Sequence, residues 1–378
     1  FKDFSWVAVG MGGALIIDFF FYILAGRLMT PVEYGYFGVV TSLYYIFLRT
    51  PFSLVETVSR KIASKGVDPT EILGKPAFFA GLLMFALFLA LSGQISTLLS
   101  VPSTLVAVFS MVFPAGYFLA VLVGKVQGEQ RFQLYGKYEF LSTLISFSMI
   151  GLVYLGFGAE AAASMFVVEI AAGALILFNG DSFSIGSSSF EEFELLKNSL
   201  AYTLGVYSTF SLDVRAVNHL FSGQVTGYYS AVSVLGKGVF FGSIAVNRSV
   251  FPKFVSEEDD RKKNLLLSLG FVLLGGGSAS LFFRFFGAEF MSAVFGSGYS
   301  QAAIYAPFYM VMITGISSLA LLSNYFISTD RKSVRAVVLF PILQIVFIIF
   351  NGSTVVRTME STLAACSVII LFLTYRLI

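Results

Sequence analysis

The sequence predicts an all-α integral membrane protein of about twelve transmembrane helices, arranged as two six-helix lobes. Three observations predict it: an apolar composition, a series of long apolar runs, and basic residues that collect in every second junction between them. Of 378 residues, 57% are hydrophobic and 12% charged, with a mean hydropathy of +0.84. A soluble domain carries about a quarter charged residues, so this chain lacks the polar surface that water demands. The net charge of +2 gives no reason to expect a nucleic-acid partner. One cysteine, Cys366, excludes an internal disulfide, and one histidine excludes multi-histidine metal motifs, so we expect neither metal nor cofactor. The chain opens on Phe1 rather than Met, which leads us to expect residues ahead of it. Its first apolar run is long enough to stay in the bilayer rather than act as a cleaved leader.

A crossing helix needs roughly 20 mostly apolar residues. Taken in order, the first half supplies runs at 4–27, 35–58, 76–97, 102–124, 138–158 and 160–179. The second half supplies 198–222, 227–252, 264–286, 301–324, 334–352 and 358–376. The runs are too long for strands and lack period-two alternation. Between the halves, the polar stretch 181–197 reads as a cytoplasmic linker separating an N-lobe (1–180) from a C-lobe (198–378).

The basic residues test this count. Only Arg27, Arg284 and Arg357 fall in odd-numbered junctions or at their edges, and Arg49, Arg215, Lys237 and Arg248 fall deeper inside runs. All the others of the 24 Lys and Arg lie at the termini, in even-numbered junctions or at the edges of those junctions. By the positive-inside rule this places both termini in the cytoplasm, in a multi-pass protein of the cell membrane.

An internal repeat accompanies the topology. MTPVEYGYFGVVTSL (29–43), between runs one and two, is echoed by SGQVTGYYSAVSVLG (222–236), between runs seven and eight. Matching Gly35 to Gly227 gives an offset of 192, close to half the chain. Asp18 and Asp213 stand equally far from the ends of runs one and seven. Each half has an even number of spans, so the copies share one orientation, as in parallel-repeat transporters.

Several short motifs carry a family resemblance. Leu28-x-x-Pro31-x-Glu33-Tyr34-Gly35-x-Phe37 and Lys125-x-Gln127-Gly128-x-x-Arg131-Phe132-x-x-Tyr135 are two of them. Gly227-Tyr228-Tyr229-x-Ala231 with Pro252, and Phe295-Gly296-x-x-Tyr299, are the others. In this order the chain resembles the Wzx-type oligosaccharide-lipid flippases, the polysaccharide biosynthesis membrane proteins. These belong to the multidrug/oligosaccharidyl-lipid/polysaccharide exporter superfamily. The resemblance implies a MATE-like fold with two lobes around a cavity that opens alternately to each side. It also implies transfer of a polyprenyl-(pyro)phosphate-linked oligosaccharide from the inner to the outer leaflet, alongside other glycan-assembly proteins.

Ionisable residues at membrane depth cost about 2.5–3.5 kcal/mol each on insertion scales and point to a cavity or pathway. In run two, Tyr45, Arg49, Ser53, Glu56 and Arg60 follow one another at helical spacing. In run seven, Arg215, Asn218 and His219 share a stripe with Ser211, and Asp213 points elsewhere. Lys237 and Arg248 are three turns apart on run eight. We take Arg49, Arg215, Lys237, Arg248, Asn218 and Tyr45 as candidates for holding the substrate, since guanidinium groups suit phosphate. Asp18, Asp213 and Glu56 are candidates either for coupling to H+ or Na+ or for structural ion pairs, Asp18 with Arg49 and Asp213 with Lys237. Arg248 stands near the cytoplasmic end, where snorkelling to lipid headgroups is the simpler role, and an interfacial role is the simpler one for His219. Pro114 and Pro307 are expected to kink runs four and ten.

No P-loop sequence is present, so ATP is not the expected energy source. An anionic headgroup moving outward gains about 2.3 kcal/mol per charge per 100 mV of inside-negative potential. No Asp-x-Asp or histidine cluster marks the loops, so an enzyme acting on the same lipid is not expected. The alternative is a cation-coupled multidrug exporter of the same superfamily, which Asp18 would suit.

Overall fold

The computed structural model describes residues 2–48, 51, 54–55, 58–59, 62, 70–178, 211–256, 261–329 and 333–376. The fold is all-α, with no strand among the described residues. That is what runs of this length require in lipid, where a helix satisfies its own backbone donors and acceptors.

The first half opens with α1 (Lys2–Leu28) and α2 (Pro31–Leu43), which continues into a π-helical turn, Tyr44–Leu48. Thr30 caps α2 with Glu33 in a reciprocal box. The Glu33 Oε2 accepts from the Thr30 backbone N–H at 2.9 Å, and the Thr30 Oγ1 accepts from the Glu33 N–H at 3.3 Å. Run three is a broken span: α3 (Thr70–Ala90) and α4 (Ser92–Leu99) meet at a 69° bend. Run four is α5 (Ser103–Ser110) followed by α6 (Val112–Gly128). The break at Met111 lies just ahead of Pro114, which has no N–H to give back to the preceding turn. The helix is interrupted there, but Ser103–Gly128 runs on as one apolar span.

Runs five and six form a hairpin. α7 (Phe132–Phe147) runs on through short turns to Phe157, and α8 (Gly158–Leu177) returns against it. The reversal uses Gly156 and Gly158, with φ of +92° and +57°, values that side chains with a Cβ resist.

In the second half α9 (Leu212–Leu220) is the described part of run seven. It is followed by α10 (Gly223–Ser256) and α11 (Arg261–Phe295). At about 1.5 Å per residue α11 is some 50 Å long, well beyond a hydrocarbon core of about 30 Å. Its first turn carries Arg261, Lys262 and Lys263. A 3-10 segment, Ser297–Ile304, leads into α12 (Ala306–Thr329). Pro307 therefore sits in the first turn of α12 and starts the helix instead of kinking it, because the N–H it lacks would have no intrahelical partner there. A second 3-10 segment (Ser333–Leu339) precedes α13 (Phe340–Asn351), and α14 (Val355–Tyr375) closes the described chain. Thr354 caps α14, accepting from the Arg357 N–H at 3.1 Å.

Contacts divide the chain into two compact units. One comprises Phe1–Met29 with Val39–Leu204, the other Thr30–Gly38 with Gly205–Ile378. In the first, α1 packs on α7, α3 on α6, and α8 on both α6 and α7. In the second, α12 packs on α10, α11 and α14, and α9 lies against α10, α13 and α14. Lipid tails are as apolar as leucine, so helices associate by fit rather than by hydrophobic burial. Glycines supply the fit: a Cβ on Gly136 would meet the Trp6 carbonyl, and one on Gly81 would stand 2.6 Å from the Phe113 carbonyl oxygen. The outward faces stay apolar, as with Leu274, Phe285 and Phe350. The 181–197 linker anticipated from the sequence lies outside the described residues.

Candidate functional site

Each unit holds a cluster of polar side chains at membrane depth. In the second unit the cluster is centred on Asp213, in the first turn of α9 and 1% exposed. The Tyr229 hydroxyl, on α10, donates to Asp213 Oδ2 at 2.9 Å. Lys237, two turns further along α10, is close enough to attract the same carboxylate. Tyr229 packs edge-on against Tyr309 of α12, ring centroids 5.3 Å apart, and Tyr309 donates to the Ser233 Oγ at 3.0 Å. A carboxylate moved from water into this environment needs hydrogen bonds and an opposite charge. Tyr229 and Lys237 supply one of each. The direct contact to Asp213 is made by Tyr229, with Lys237 within electrostatic reach of the same carboxylate.

Asn218, on the same short helix, is buried, Arg215 is half-buried, and His219 is exposed. A second buried polar group lies between α13 and α14, where Gln344 donates through Nε2 to the Thr362 Oγ1 at 3.2 Å. Thr358 and Ser361 are buried on the same helix as Thr362.

In the first unit the cluster gathers around Tyr22. Its phenol lies within electrostatic reach of Tyr45, Asp18, Tyr44 and Glu169. Tyr44 stacks on Phe166, centroids 4.2 Å apart, and Glu169 Oε1 accepts from the Thr143 hydroxyl at 3.4 Å. Two carboxylates, Asp18 on α1 and Glu169 on α8, therefore share one polar neighbourhood with several phenols. Among the described residues no group of three His, Cys, Asp or Glu side chains is arranged to hold a metal ion.

The candidate residues thus fall in different places. Tyr45 and Asp18 belong to the first unit, and Asp213, Arg215, Asn218 and Lys237 to the second. Tyr45 sits in the π-helical turn, so the straight stripe expected along run two is interrupted at its first member. Arg49 and Glu56 lie outside the described residues, and with them the expected Asp18–Arg49 pair. Arg248 falls on α10, with its side chain outside those described.

Reading the sequence missed Tyr229, Tyr309 and Gln344 as site residues, and it left Glu169 unassigned. Tyr229 and Tyr309 are ordinary membrane aromatics until α9, α10 and α12 come together. Gln344 did leave a signal, as the single amide within the apolar run FPILQIVFIIF.

No family model matches the chain, and no curated protein matches it. Solved structures do. The chain is similar to a structure described as the lipid II flippase MurJ in an inward closed conformation, with a TM-score of 0.81 and 13% identity. That match covers 98% of this chain and 87% of the other. It is similar also to an inward-facing multidrug resistance MATE family transporter of the MOP superfamily, with a TM-score of 0.68 and 13% identity over 99% and 98% of the two chains. A third is a MOP superfamily transporter from Pyrococcus furiosus, described as having a binding pocket of reverse polarity. Its TM-score is 0.59 and its identity 13%, over 99% of this chain and 95% of that one. These neighbours are transporters and a flippase, not enzymes. The chain is a multi-pass membrane protein with the fold of the MOP superfamily, the fold to which its sequence motifs pointed.

Proposed function

We propose that this protein is a flippase for an anionic, lipid-linked oligosaccharide, moving it from the inner to the outer leaflet of the cell membrane. The observation that carries the reading is the likeness, over nearly the whole chain, to a lipid II flippase. Basic side chains at membrane depth support it. Arg215, Asn218 and Lys237, with Arg49, Arg248 and Tyr45, are proposed to meet the phosphates and sugar hydroxyls, while the polyprenyl tail stays among the membrane lipids. Guanidinium groups bind phosphate oxygens in pairs. The proposed lobes, 1–180 and 198–378, would carry the two halves of the site, with both termini cytoplasmic and other glycan-assembly proteins as neighbours in the cell. Replacing Arg215 by Glu is expected to abolish outer-leaflet display of the glycan with protein abundance unchanged. Normal display in that variant would overturn the assignment of Arg215.

A second reading, a cation-coupled multidrug exporter, is favoured by the buried carboxylates. Asp18 with Glu169, and Asp213 with Tyr229, are proposed to carry H+ or Na+ in either reading. Drug accumulation in an efflux-deficient host separates the two: a flippase leaves accumulation unchanged, and an exporter lowers it.

A further inference from the structure

α11 carries basic residues at two heights and no charge between them. Arg261, Lys262 and Lys263 form its first turn, and Arg284 follows the uncharged stretch 264–283. Arg284 stands 21 residues after Lys263. At about 1.5 Å per residue that is about 32 Å, close to the roughly 30 Å of a hydrocarbon core. With the first turn at one interface, Arg284 lies at the other, and α11 continues about 16 Å further to Phe295.

The surroundings of Arg284 are those of a lipid-facing surface. Arg284 is exposed together with Leu281 and Phe285, whereas Phe283 and Gly287 are buried on the other side of the same turns. Phe282 and Phe286 are also exposed, their ring centroids 5.6 Å apart. Gly277 lies two turns before Arg284 on the same face, with nothing within 4 Å of where a Cβ would stand. It leaves a notch between the exposed side chains of Leu274 and Leu281. Among the described residues the guanidinium makes no hydrogen bond or ion pair, and Glu289, the single acid of α11, forms none with it. A cation on the lipid-facing side of a span is costly unless its donors find acceptors. At this height the acceptors within reach are lipid phosphates, which a guanidinium can grip with two bonds.

We propose that Arg284 is the phosphate-binding residue of a lipid site on α11. Its occupant is an anionic phospholipid of the leaflet opposite Arg261–Lys263, the outer leaflet in the orientation proposed above. The phosphate accepts from the guanidinium, and an acyl chain runs past Leu281 into the notch at Gly277. Held there, the lipid fixes the height of α11, and of α12 packed on it, in the bilayer. The site depends on α11 crossing the membrane and not on the flippase reading.

The test uses the full-length protein, delipidated in detergent, and reads its melting temperature with and without added phosphatidylglycerol. The wild type is expected to gain several degrees, and half-saturation should need about tenfold more lipid in Arg284→Gln, the loss of a hydrogen bond to a charged group. Arg357→Gln should behave as wild type, since that exposed cation already donates to the Ser353 hydroxyl at 3.2 Å. No gain in the wild type, or the same response in wild type and Arg284→Gln, would overturn the site. Equal weakening by both substitutions would also overturn it, because surface charge alone would then explain the effect. Inorganic phosphate should give no gain, and a gain equal to that from phosphatidylglycerol would rule out the lipid as the occupant. A depth measurement stands apart from the stability of these variants. Trp6→Phe with Phe285→Trp leaves one tryptophan, at the residue beside Arg284. In bilayers it should be quenched more by lipids spin-labelled high on the acyl chain than by those labelled near its end. The reverse order, or no quenching by either, would place Arg284 away from the interface and overturn the proposal.

Discussion

At Asp213, one phenol hydrogen bond and one nearby ammonium group stand in for the water that a carboxylate loses on burial. Removing the phenol hydroxyl, with Tyr229→Phe, takes away the 2.9 Å hydrogen bond to Oδ2 in a buried site. Losing a partner in this way costs about 1–3 kcal/mol, and a fall in the melting temperature of the purified protein should register it. Lys237→Met removes the opposite charge instead and should be the more damaging of the two changes, since an unpaired buried charge costs more than an unpaired hydroxyl. The double variant Asp213→Asn/Lys237→Met should recover part of that loss, and no recovery would mean that the two groups act independently. The sequence made Asp213 and Lys237 legible, because a charge in an apolar run stands out. Tyr229 was legible only as part of the Gly227-Tyr228-Tyr229-x-Ala231 motif, and its contact with Asp213 is apparent only once α10 lies beside α9.

Among the elements, hydropathy located most of the described helices, since a span announces itself through length and composition along one dimension, although α11 runs to Phe295, nine residues past the run that marked it. Bends were less visible. Pro114 marked the interruption before α6, but the 69° bend between α3 and α4 falls at Leu91, which no proline or glycine-rich stretch announces. The π-helical turn at Tyr44–Leu48 has no sequence signature either, and it displaces Tyr45 from the regular stripe. Where helices pack through glycine, single methyl groups should matter. Gly136→Ala places a Cβ against the Trp6 backbone and should cost about 1–3 kcal/mol by overpacking. Gly12→Ala, with nothing within 4 Å of the new atom, should not lower stability at all. Thermal melts of the two variants in the same detergent compare them directly, and equal stabilities would mean that α1 and α7 do not depend on that close approach.

For the whole molecule, the alternation of basic junctions and the repeat at 192 residues anticipated a paired, all-α membrane fold, and structures sharing about one residue in eight carry the same fold. Topology survives such divergence because it depends on where apolar runs and charges fall. A substrate site depends on which side chains converge, and that is why the fold was far more legible than the site. Flipping of an anionic headgroup should also respond to voltage, about 2.3 kcal/mol per charge per 100 mV. An inside-negative potential should therefore speed outward movement in oriented vesicles, and a rate indifferent to voltage would exclude that driving force. The most direct test of the central claim is a flipping assay in proteoliposomes, using a fluorescent polyprenyl diphosphate carrying a short oligosaccharide and a membrane-impermeant quencher. The account predicts that the wild-type protein exposes the inner-leaflet pool well above the protein-free rate and that Arg215→Glu does not. Wild-type vesicles that match protein-free ones, while the same preparation extrudes a cationic drug, would contradict it.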